Sequence, residues 1–173
     1  MLLKYFTSAI VLLLCTTLVA QNPPTTKEEI EKEYQRRIKQ EVLDGQYIPA
    51  DLTDAFMELN KLIDDESKAS FKAMPEEEAA TKLFFSFGRW ISYNWGFYGG
   101  SRLSHYIREL GITYPEDMAR FIIISYHRNL NRKPLDVKTQ VEFYQEKRRK
   151  EHEARLEKGK VIYEETRKVN KGN

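Results

Sequence analysis

Between residues 47 and 135 the chain is rich in apolar and aromatic residues that recur at helical spacing, with glycine and proline at the breaks. This periodicity constrains the fold more than any other feature, because an apolar stripe repeating every 3.6 residues needs a second surface to bury it. No alternating run of apolar and polar residues of strand length stands out, and the run Ile122-Ile123-Ile124, which could be mistaken for a strand, lies within a helical pattern. The pattern predicts a small all-α domain, a bundle of about four helices.

Capping residues predict where these helices begin and end. Asp, Ser or Pro ahead of an apolar-periodic run indicates a start, and Gly indicates an end. Asp51 and Ser101 are the expected N-caps of the first and third helices. On these signals we predict helices over 52–65, 75–94, 102–110 and 115–130, with a short helical turn over 67–73.

Two strongly charged segments flank the central domain, which we place at 47–135. The N-terminal arm, 21–46, contains a helix-prone stretch over 27–43 with a narrow apolar stripe at every fourth residue. In the C-terminal tail, 136–173, 11 of the 16 residues from 145 to 160 are Glu, Lys or Arg. Such a composition buries little apolar surface, so we expect the tail to be a solvated helix or disordered, and to make few contacts with the core.

The first twenty residues have the pattern of a secretory signal peptide. Lys4 precedes a short apolar run that ends in Leu18-Val19-Ala20, and polar residues and prolines follow. Such a segment directs export to the periplasm or the medium. Cleavage after Ala20 would then leave a mature chain that begins at Gln21. The alternatives are a lipid anchor on Cys15 or an uncleaved anchor. A cleaved chain has no stable membrane insertion, and export argues against a nucleic-acid partner.

Composition excludes several classes of protein. The 173 residues include 8 Gly, 6 Pro and a single Cys, and the formal net charge is +2. These numbers exclude collagen-like and low-complexity chains, and the lone Cys excludes a disulfide framework and a thiolate zinc site. We expect no cofactor.

Aromatic residues are dense between Phe84 and Tyr126. Helical phase places an arc of residues from Ala79 to Ile91, including Trp90, in the core, with Asn94 inside the same arc. Phe85, Arg89 and Tyr93 fall on the opposite, polar face and form a candidate partner patch. The alternative is that one of the arms covers the two rings.

The segment Trp95 to Arg102, which we call the corner, is the most distinctive stretch of the sequence. It reads Trp-Gly-Phe-Tyr-Gly-Gly-Ser-Arg, and three interpretations stay open. It can be a tight turn capped by Ser101, with Trp95 and Phe97 in the core. It can hold an anion at the start of a helix, with Arg102 as a surface guanidinium. It can also be a stacking platform for a sugar. The candidate ligand residues are Trp95, Tyr98, Gly99, Gly100, Ser101 and Arg102.

Catalytic machinery is not predicted. Ser101, His105 and Glu109 are four residues apart, but all three fall on one helix face, whereas a nucleophile needs its base and an oxyanion pocket from separate elements. His127 lies near a helix C-terminus, where a histidine is favourable for the helix dipole alone. No two histidines have the spacing of metal ligands, so we predict no metal site. Because the possible triad lies on one helix face, we also predict no catalytic residue.

Residues 48–131, about half of the chain, resemble a bacterial family known as a domain of unknown function, family 6794. Phe97 stands where the family pattern leads us to expect an aliphatic residue. The resemblance implies no activity, ligand or site. The matching motifs are Ile48-Pro49, Asp51-Leu52, Ala55-Phe56, Trp90, Asn94-Trp95-Gly96, Gly100-Ser101-Arg102-Leu103, Gly111-Ile112, Pro115-Glu116-Asp117-Met118, Ser125-Tyr126-His127-Arg128 and Leu130-Asn131.

The function expected from these features is a non-enzymatic, exported module that binds a protein or an envelope component. Two alternatives belong to other classes. One is an enzyme that processes an envelope glycan or peptide through Ser101, His105 or His127. The other is a structural scaffold whose charged arms mediate self-association.

Overall fold

The computed structural model describes residues 24–169 and places side chains for residues 24–159. The predicted signal peptide, residues 1–20, lies outside the described residues. The fold is all-α, as predicted, and one two-stranded hairpin accompanies the helices in the described chain. None of the described helices combines the length and the apolar character that crossing a membrane requires.

The described residues fall into two units, 24–33 and 34–169, with the division inside helix α1 (Lys27–Arg37). In the first unit, Thr26 and Glu29 cap the helix reciprocally. The amide of Glu29 donates to Oγ1 of Thr26 at 3.2 Å, and the amide of Thr26 donates to Oε2 of Glu29 at 3.1 Å. Two N–H groups at the helix start are therefore satisfied locally.

Helix α1 ends at Arg37, and a β-hairpin stands where the sequence pattern predicted helix up to residue 43. Strands β1 (Val42–Leu43) and β2 (Gln46–Tyr47) pair antiparallel. Asp44 and Gly45 form the turn with φ of 51° and 79°, the left-handed pair that a two-residue hairpin turn requires. The helical prediction was wrong here because an Asp-Gly pair favours this turn more strongly than the charged flanks favour a helix.

The central segment begins with two capped helices, α2 (Leu52–Leu62) and α3 (Asp65–Ala73). The predicted N-cap of α2 is confirmed, since Oδ1 of Asp51 accepts the Asp54 amide at 2.9 Å. Asp64 caps α3 in the same way. Both caps are short-range signals, which is why the starts of these helices could be predicted.

The single helix predicted over 75–94 is divided into three, so the central segment holds more helices than the four predicted. These are α4 (Glu76–Lys82), a π-helix (Phe84–Gly88) and α5 (Arg89–Asn94). A π-turn contains one residue more than an α-turn and therefore shifts the helical phase of the residues beyond it. Ile91 stays in the core, as predicted. Trp90, predicted in the core, is 36% exposed, whereas Trp95 is buried.

Helices α6 (Arg102–Leu110) and α7 (Pro115–Leu130) begin and end close to the predicted positions. Helix α7 is the centre of the fold and packs against all the other helices from α2 to α6 and against the last helix, α8 (Val137–Val169). A helix surrounded in this way is apolar on several faces, which explains its isoleucine run. Its buried residues are Asp117, Met118, Ala119, Phe121, Ile122, Ile123, Ser125, Tyr126 and His127.

Helix α8 packs on the core at its start, where Val141 and Tyr144 are buried. This burial raises the pKa of the Tyr144 phenol. The tail is therefore helical over its described part, and the expectation of few contacts with the core is wrong for this stretch. The side chains from 149 to 159 are exposed.

A buried carboxylate at the start of α7 fixes the position of α8. The Asp117 side chain is 1% exposed. Nζ of Lys147 donates to its Oδ1 at 2.9 Å, and Nε of Arg148 donates to its Oδ2. The Arg148 guanidinium also lies over the Tyr114 ring, 3.8 Å from its centroid. A buried charge needs such partners, so two cations from the charged tail are part of the core.

Candidate functional site

The corner joins α5 to α6 and turns two of its aromatic side chains inward. Trp95 and Phe97 are each 1% exposed, and the Trp95 ring meets Trp90 edge to face with centroids 6.0 Å apart. Both side chains fill the core beneath the turn, as the structural interpretation of the corner predicted. A stacking platform of Trp95, Phe97 and Tyr98 is not formed, because only Tyr98 is exposed, at 68%.

Ser101 is fully buried and caps α6. The Ser104 amide donates to Oγ of Ser101 at 3.2 Å, and the Ser101 amide donates to Oγ of Ser104 at 2.8 Å. This reciprocal cap satisfies N–H groups that an anion would otherwise have to bind. The buried hydroxyl is also out of reach of a substrate, so the alternative in which Ser101 is a nucleophile loses its basis.

Arg102 is a structural residue, and its assignment to the surface is wrong. The side chain is 17% exposed, and its Nε donates to the Ile48 carbonyl at 2.6 Å. Its Nη1 donates to Oε1 of Glu41 at 3.2 Å, and its Nη2 lies 3.8 Å from Oδ2 of Asp54. The guanidinium ties the corner to the segment between β2 and α2. It does not present an open fork to an anion at the helix start.

The glycines of the corner make room for side chains from the end of α1. Nε of Arg37 donates to the Gly100 carbonyl at 2.9 Å, and a Cβ on Gly99 would lie 3.3 Å from the same guanidinium. Gly100 has a φ of 84°, and a Cβ there would collide with the Tyr34 ring. The glycines therefore accommodate a cation and an aromatic ring of the chain itself.

His105 is held by the same segment. Its Nδ1 lies 3.0 Å from the Tyr34 hydroxyl, and its Nε2 lies 3.4 Å from Oε1 of Glu109. Sequence reasoning missed Tyr34 and Arg37 as partners of the corner because both belong to the charged arm. The one signal that could have found Tyr34 is its place in the apolar stripe of α1, where an aromatic residue needs a surface to cover.

A groove of about 390 Å³ opens beside the corner. One wall is the hairpin, with Asp44 and Gln46, and the other is the end of α5 and the corner. Two predicted residues from different candidate sets, Tyr93 of the patch and Tyr98 of the corner, both line this groove. The further lining residues are Arg37, Leu43, Ser92, Asn94, Gly96 and Gly99.

Electrostatically the groove holds one cation and one anion. Nη1 of Arg37 lies 4.0 Å from Oδ2 of Asp44, and the side chains are 17% and 89% exposed. The amide of Asn94 donates through Nδ2 to the Trp90 carbonyl at 2.8 Å, which leaves its Oδ1 able to accept. The groove thus combines donors and acceptors with little net charge.

The predicted patch of Phe85, Arg89 and Tyr93 is exposed along the π-helix and α5. Phe85 is 74% exposed and Tyr93 is 82% exposed, and Arg89 is exposed as well. Tyr93 belongs to both the patch and the groove, so the two features are continuous. We call the combination of the patch and Tyr98 the aromatic face.

The side chain of Tyr98 is oriented by a hydrogen bond to the first turn of α7. Its hydroxyl donates to Oε1 of Glu116 at 3.4 Å. Partial burial and the charge of Glu116 raise its pKa, against the opposing effect of Arg89. The phenol therefore stays protonated at neutral pH and remains a hydrogen-bond donor.

His127, the other histidine considered for catalysis, is buried. Its Nε2 lies 2.9 Å from the Met74 carbonyl, and its Nδ1 lies 3.9 Å from Oε2 of Glu76. Its side chain is 3% exposed, so a substrate in solution cannot reach it. Among the described residues, no group of three or more His, Cys, Asp or Glu side chains is placed so that it could bind a metal ion.

Comparison with known proteins gives one finding. The model of the family described as Domain of unknown function (DUF6794) matches residues 48–130, which confirms the resemblance seen in the sequence. No curated protein and no solved structure matches the chain. The matched range contains Tyr93, Asn94 and Tyr98 of the groove, whereas Arg37, Asp44 and Gln46 lie outside it.

Proposed function

We propose that the chain, whose residues 48–130 match the model of the DUF6794 family, is an exported, non-enzymatic module that binds a protein or another component of the cell envelope. The aromatic face is its contact surface. Export rests on residues 1–20, whose pattern is that of a signal peptide. Binding rests on the exposure of the aromatic face.

The observation that carries the binding proposal is a set of three exposed rings, of which Tyr93 and Tyr98 line the groove and Phe85 lies eight residues before Tyr93 on the preceding π-helix. Phe85, Tyr93 and Tyr98 are all more than two-thirds exposed. Leaving large rings in water forgoes the free energy of burying them, and contiguous exposed apolar surface marks interaction sites. Aromatic residues and Arg are also the usual anchors of binding surfaces.

The local chemistry favours binding over catalysis. The buried hydroxyl of Ser101 is used as a helix cap, and the ring of His105 is held by Tyr34 and Glu109. An enzyme acting by the chemistry considered for these residues would need a nucleophile and its base facing one concave site. The charged groups of the groove are Arg37 and Asp44, an ion pair at 4.0 Å, which suits recognition.

Cosedimentation with isolated envelope fragments of the native bacterium tests the binding proposal. The chain starting at Gln21 should sediment with the fragments, and the double variant Phe85→Ala/Tyr93→Ala should bind about tenfold more weakly or worse, because two anchor residues are lost. Phe143→Ala is the matched control, since Phe143 is an exposed ring at 62% on α8, away from the aromatic face.

The outcome that contradicts the proposal is equal retention of the double variant and the wild type. Release of soluble fragments from the envelope would contradict the non-enzymatic part and favour the processing enzyme. Binding that depends on protein concentration and on salt but not on the two rings would favour the self-associating scaffold.

Export has its own measurement. The intact mass of the protein isolated from the native bacterium should correspond to a chain that begins at Gln21, recovered from the periplasm or the medium. A lipid adduct on Cys15 or retention of Met1 would contradict the proposed cleavage.

A further inference from the structure

The groove beside the corner has the features of a small-molecule site, and we infer that it binds a neutral saccharide. This inference rests on the proposed binding function and names the ligand class for the same surface. It differs from the sugar platform considered for the corner, because Trp95 and Phe97 are buried and take no part. The site is made instead by Tyr93, Tyr98 and polar groups of the hairpin and α5.

Size and shape fit one or two rings of a saccharide, and because the groove is open to solvent a longer oligosaccharide can extend beyond it. The volume of about 390 Å³ lies at the lower end of the range usual for small-molecule sites. Tyr93 and Tyr98 line the groove and are 82% and 68% exposed. Their rings offer flat apolar surfaces with a polar hydroxyl at the end, the combination that suits a ligand with one apolar and one polar side.

The polar groups of the groove are of mixed kind. Arg37 supplies donors, Asp44 supplies acceptors, and the amides of Gln46 and Asn94 supply both. Because each sugar hydroxyl both donates and accepts, a mixed set of planar polar side chains can satisfy adjacent hydroxyls. A set made of cations alone would select anions.

The charge balance argues for a neutral ligand. Asp44, 4.0 Å from the Arg37 guanidinium, would repel a phosphate or a carboxylate that approached Arg37, and Arg37 would repel a cation that approached Asp44. A neutral polyol meets neither repulsion. It can bridge the two side chains by accepting from one and donating to the other.

The guanidinium is held in place before any ligand arrives. Its Nε is fixed by the Gly100 carbonyl at 2.9 Å, and its planar face lies against Gly96 and Gly99, where a Cβ would come within 3.0 Å and 3.3 Å. A prepositioned donor loses little entropy on binding. The opposite wall, which carries Asp44 and Gln46, is the hairpin. Its strands are paired up to a two-residue turn, so this wall is short and has a defined conformation.

Titration of the chain from Gln21 with neutral oligosaccharides tests the inference. The probes are the trimers of N-acetylglucosamine, glucose in β-1,4 linkage and glucose in α-1,4 linkage, with inorganic phosphate as the charged probe. At millimolar concentration at least one trimer should shift the backbone amide signals of Gly96, Gly99 and Gly100 in NMR spectra. Tyr98→Ala should weaken that binding about tenfold or more, and Phe143→Ala should leave it within about twofold.

No shift with any trimer, a shift with phosphate alone, or trimer binding that survives the loss of both Tyr93 and Tyr98 overturns the inference. Its failure can be separated from that of the proposed function. If envelope fragments are retained in a Phe85- and Tyr93-dependent way while no trimer binds or competes, the binding module stands and its ligand is not a saccharide. If a trimer binds the groove while the fragments are not retained, the saccharide site stands and the envelope role fails.

Discussion

Arg148 and Arg149 are neighbours on α8, yet they have opposite roles. Arg148 reaches across to the buried carboxylate of Asp117 and is 26% exposed, whereas Arg149 is 57% exposed and pairs with Glu146 and Glu153 of its own helix. Both lie in a stretch in which acidic and basic residues alternate densely. The contribution of a charged residue to stability therefore depends on the burial of its partner, which composition alone does not reveal.

The corner shows the same contrast among aromatic residues. Trp95 and Tyr98 are three residues apart, and one is 1% exposed while the other is 68% exposed. The corner was the most suggestive segment of the sequence, yet most of its residues are structural. Only Tyr98, Gly96 and Gly99 of the corner line the groove.

The largest expected effect separates these two aromatic residues. Trp95→Ala should lower the free energy of unfolding by about 4 kcal/mol, because it leaves a large cavity beneath the corner. Tyr98→Ala should cost less than about 0.5 kcal/mol, since the ring is already in water. Urea unfolding followed by far-UV circular dichroism measures both. Equal losses for the two variants would break the contrast between core and surface in the corner.

The second prediction tests the comparison on α8 directly. Lys147→Ala/Arg148→Ala should cost about 3 kcal/mol, because Asp117 keeps its burial and loses both cations. The matched double variant Arg149→Ala/Lys150→Ala removes two cations that pair locally with Glu146 and should cost less than about 1 kcal/mol. A small loss in the first variant would mean that burying Asp117 without its two cations costs little, and that the position of α8 is set by Val141 and Tyr144 instead.

Much of the fold could be predicted from the sequence because several of its helix boundaries are set locally. Asp51, Ser101 and Pro115 start helices, and Gly111 with its φ of 112° ends one. These signals act over three or four residues. The hairpin was missed although the signal of its Asp44-Gly45 turn is equally local. The apolar stripe and the charged residues of the stretch before it predicted a helix instead.

What could not be predicted depends on contacts between distant segments. The π-helix ends at Gly88, where a Cβ would lie 2.9 Å from the Phe84 side chain of the same π-helix and 3.3 Å from the Ile123 side chain of α7. This close approach to α7 is not visible in the periodicity of residues 75–94. The candidate site divides in the same way. Helical phase predicted the exposure of Tyr93. Arg37 and Asp44 were missed because they belong to the N-terminal arm, which the sequence pattern placed outside the central domain.

The third prediction concerns Arg102, which the structure moves from the surface into the framework. Arg102→Ala should cost about 2 kcal/mol, because it leaves the Ile48 carbonyl without its side-chain donor and removes the cation beside Glu41 and Asp54. Lys61→Ala is the control, since Lys61 is an exposed cation that pairs locally with Glu58 at 3.0 Å, and it should change stability by less than about 0.5 kcal/mol.

Thermal unfolding with added phosphate completes this test. If Arg102 is structural, phosphate should shift the midpoints of the wild type and of Arg102→Ala by the same amount, because its general salt effect does not need the guanidinium. A phosphate-dependent rise that disappears in Arg102→Ala would restore the anion site at the corner.

The smallest expected effect compares two glutamates of α4 and depends on pH. Glu76 accepts from Nη2 of Arg128 at 2.7 Å across to α7, whereas Glu78 pairs with Lys82 of its own helix. The hydrogen bonds from Arg128 lower the pKa of Glu76, against the effect of partial burial. A lowered carboxyl pKa means that the pair stabilises the fold at neutral pH, above the pKa of the unfolded chain, and that this contribution is lost as the pH falls through the folded value.

Glu76→Gln should therefore cost about 1 kcal/mol at pH 7 and progressively less as the pH is lowered below the usual range of a glutamate. Glu78→Gln should follow the wild type at every pH. Urea unfolding of the three proteins over this pH range measures the difference. A constant gap between Glu76→Gln and the wild type would mean that the pair acts through geometry alone, because a charge-dependent pair must weaken when the carboxylate takes up its proton.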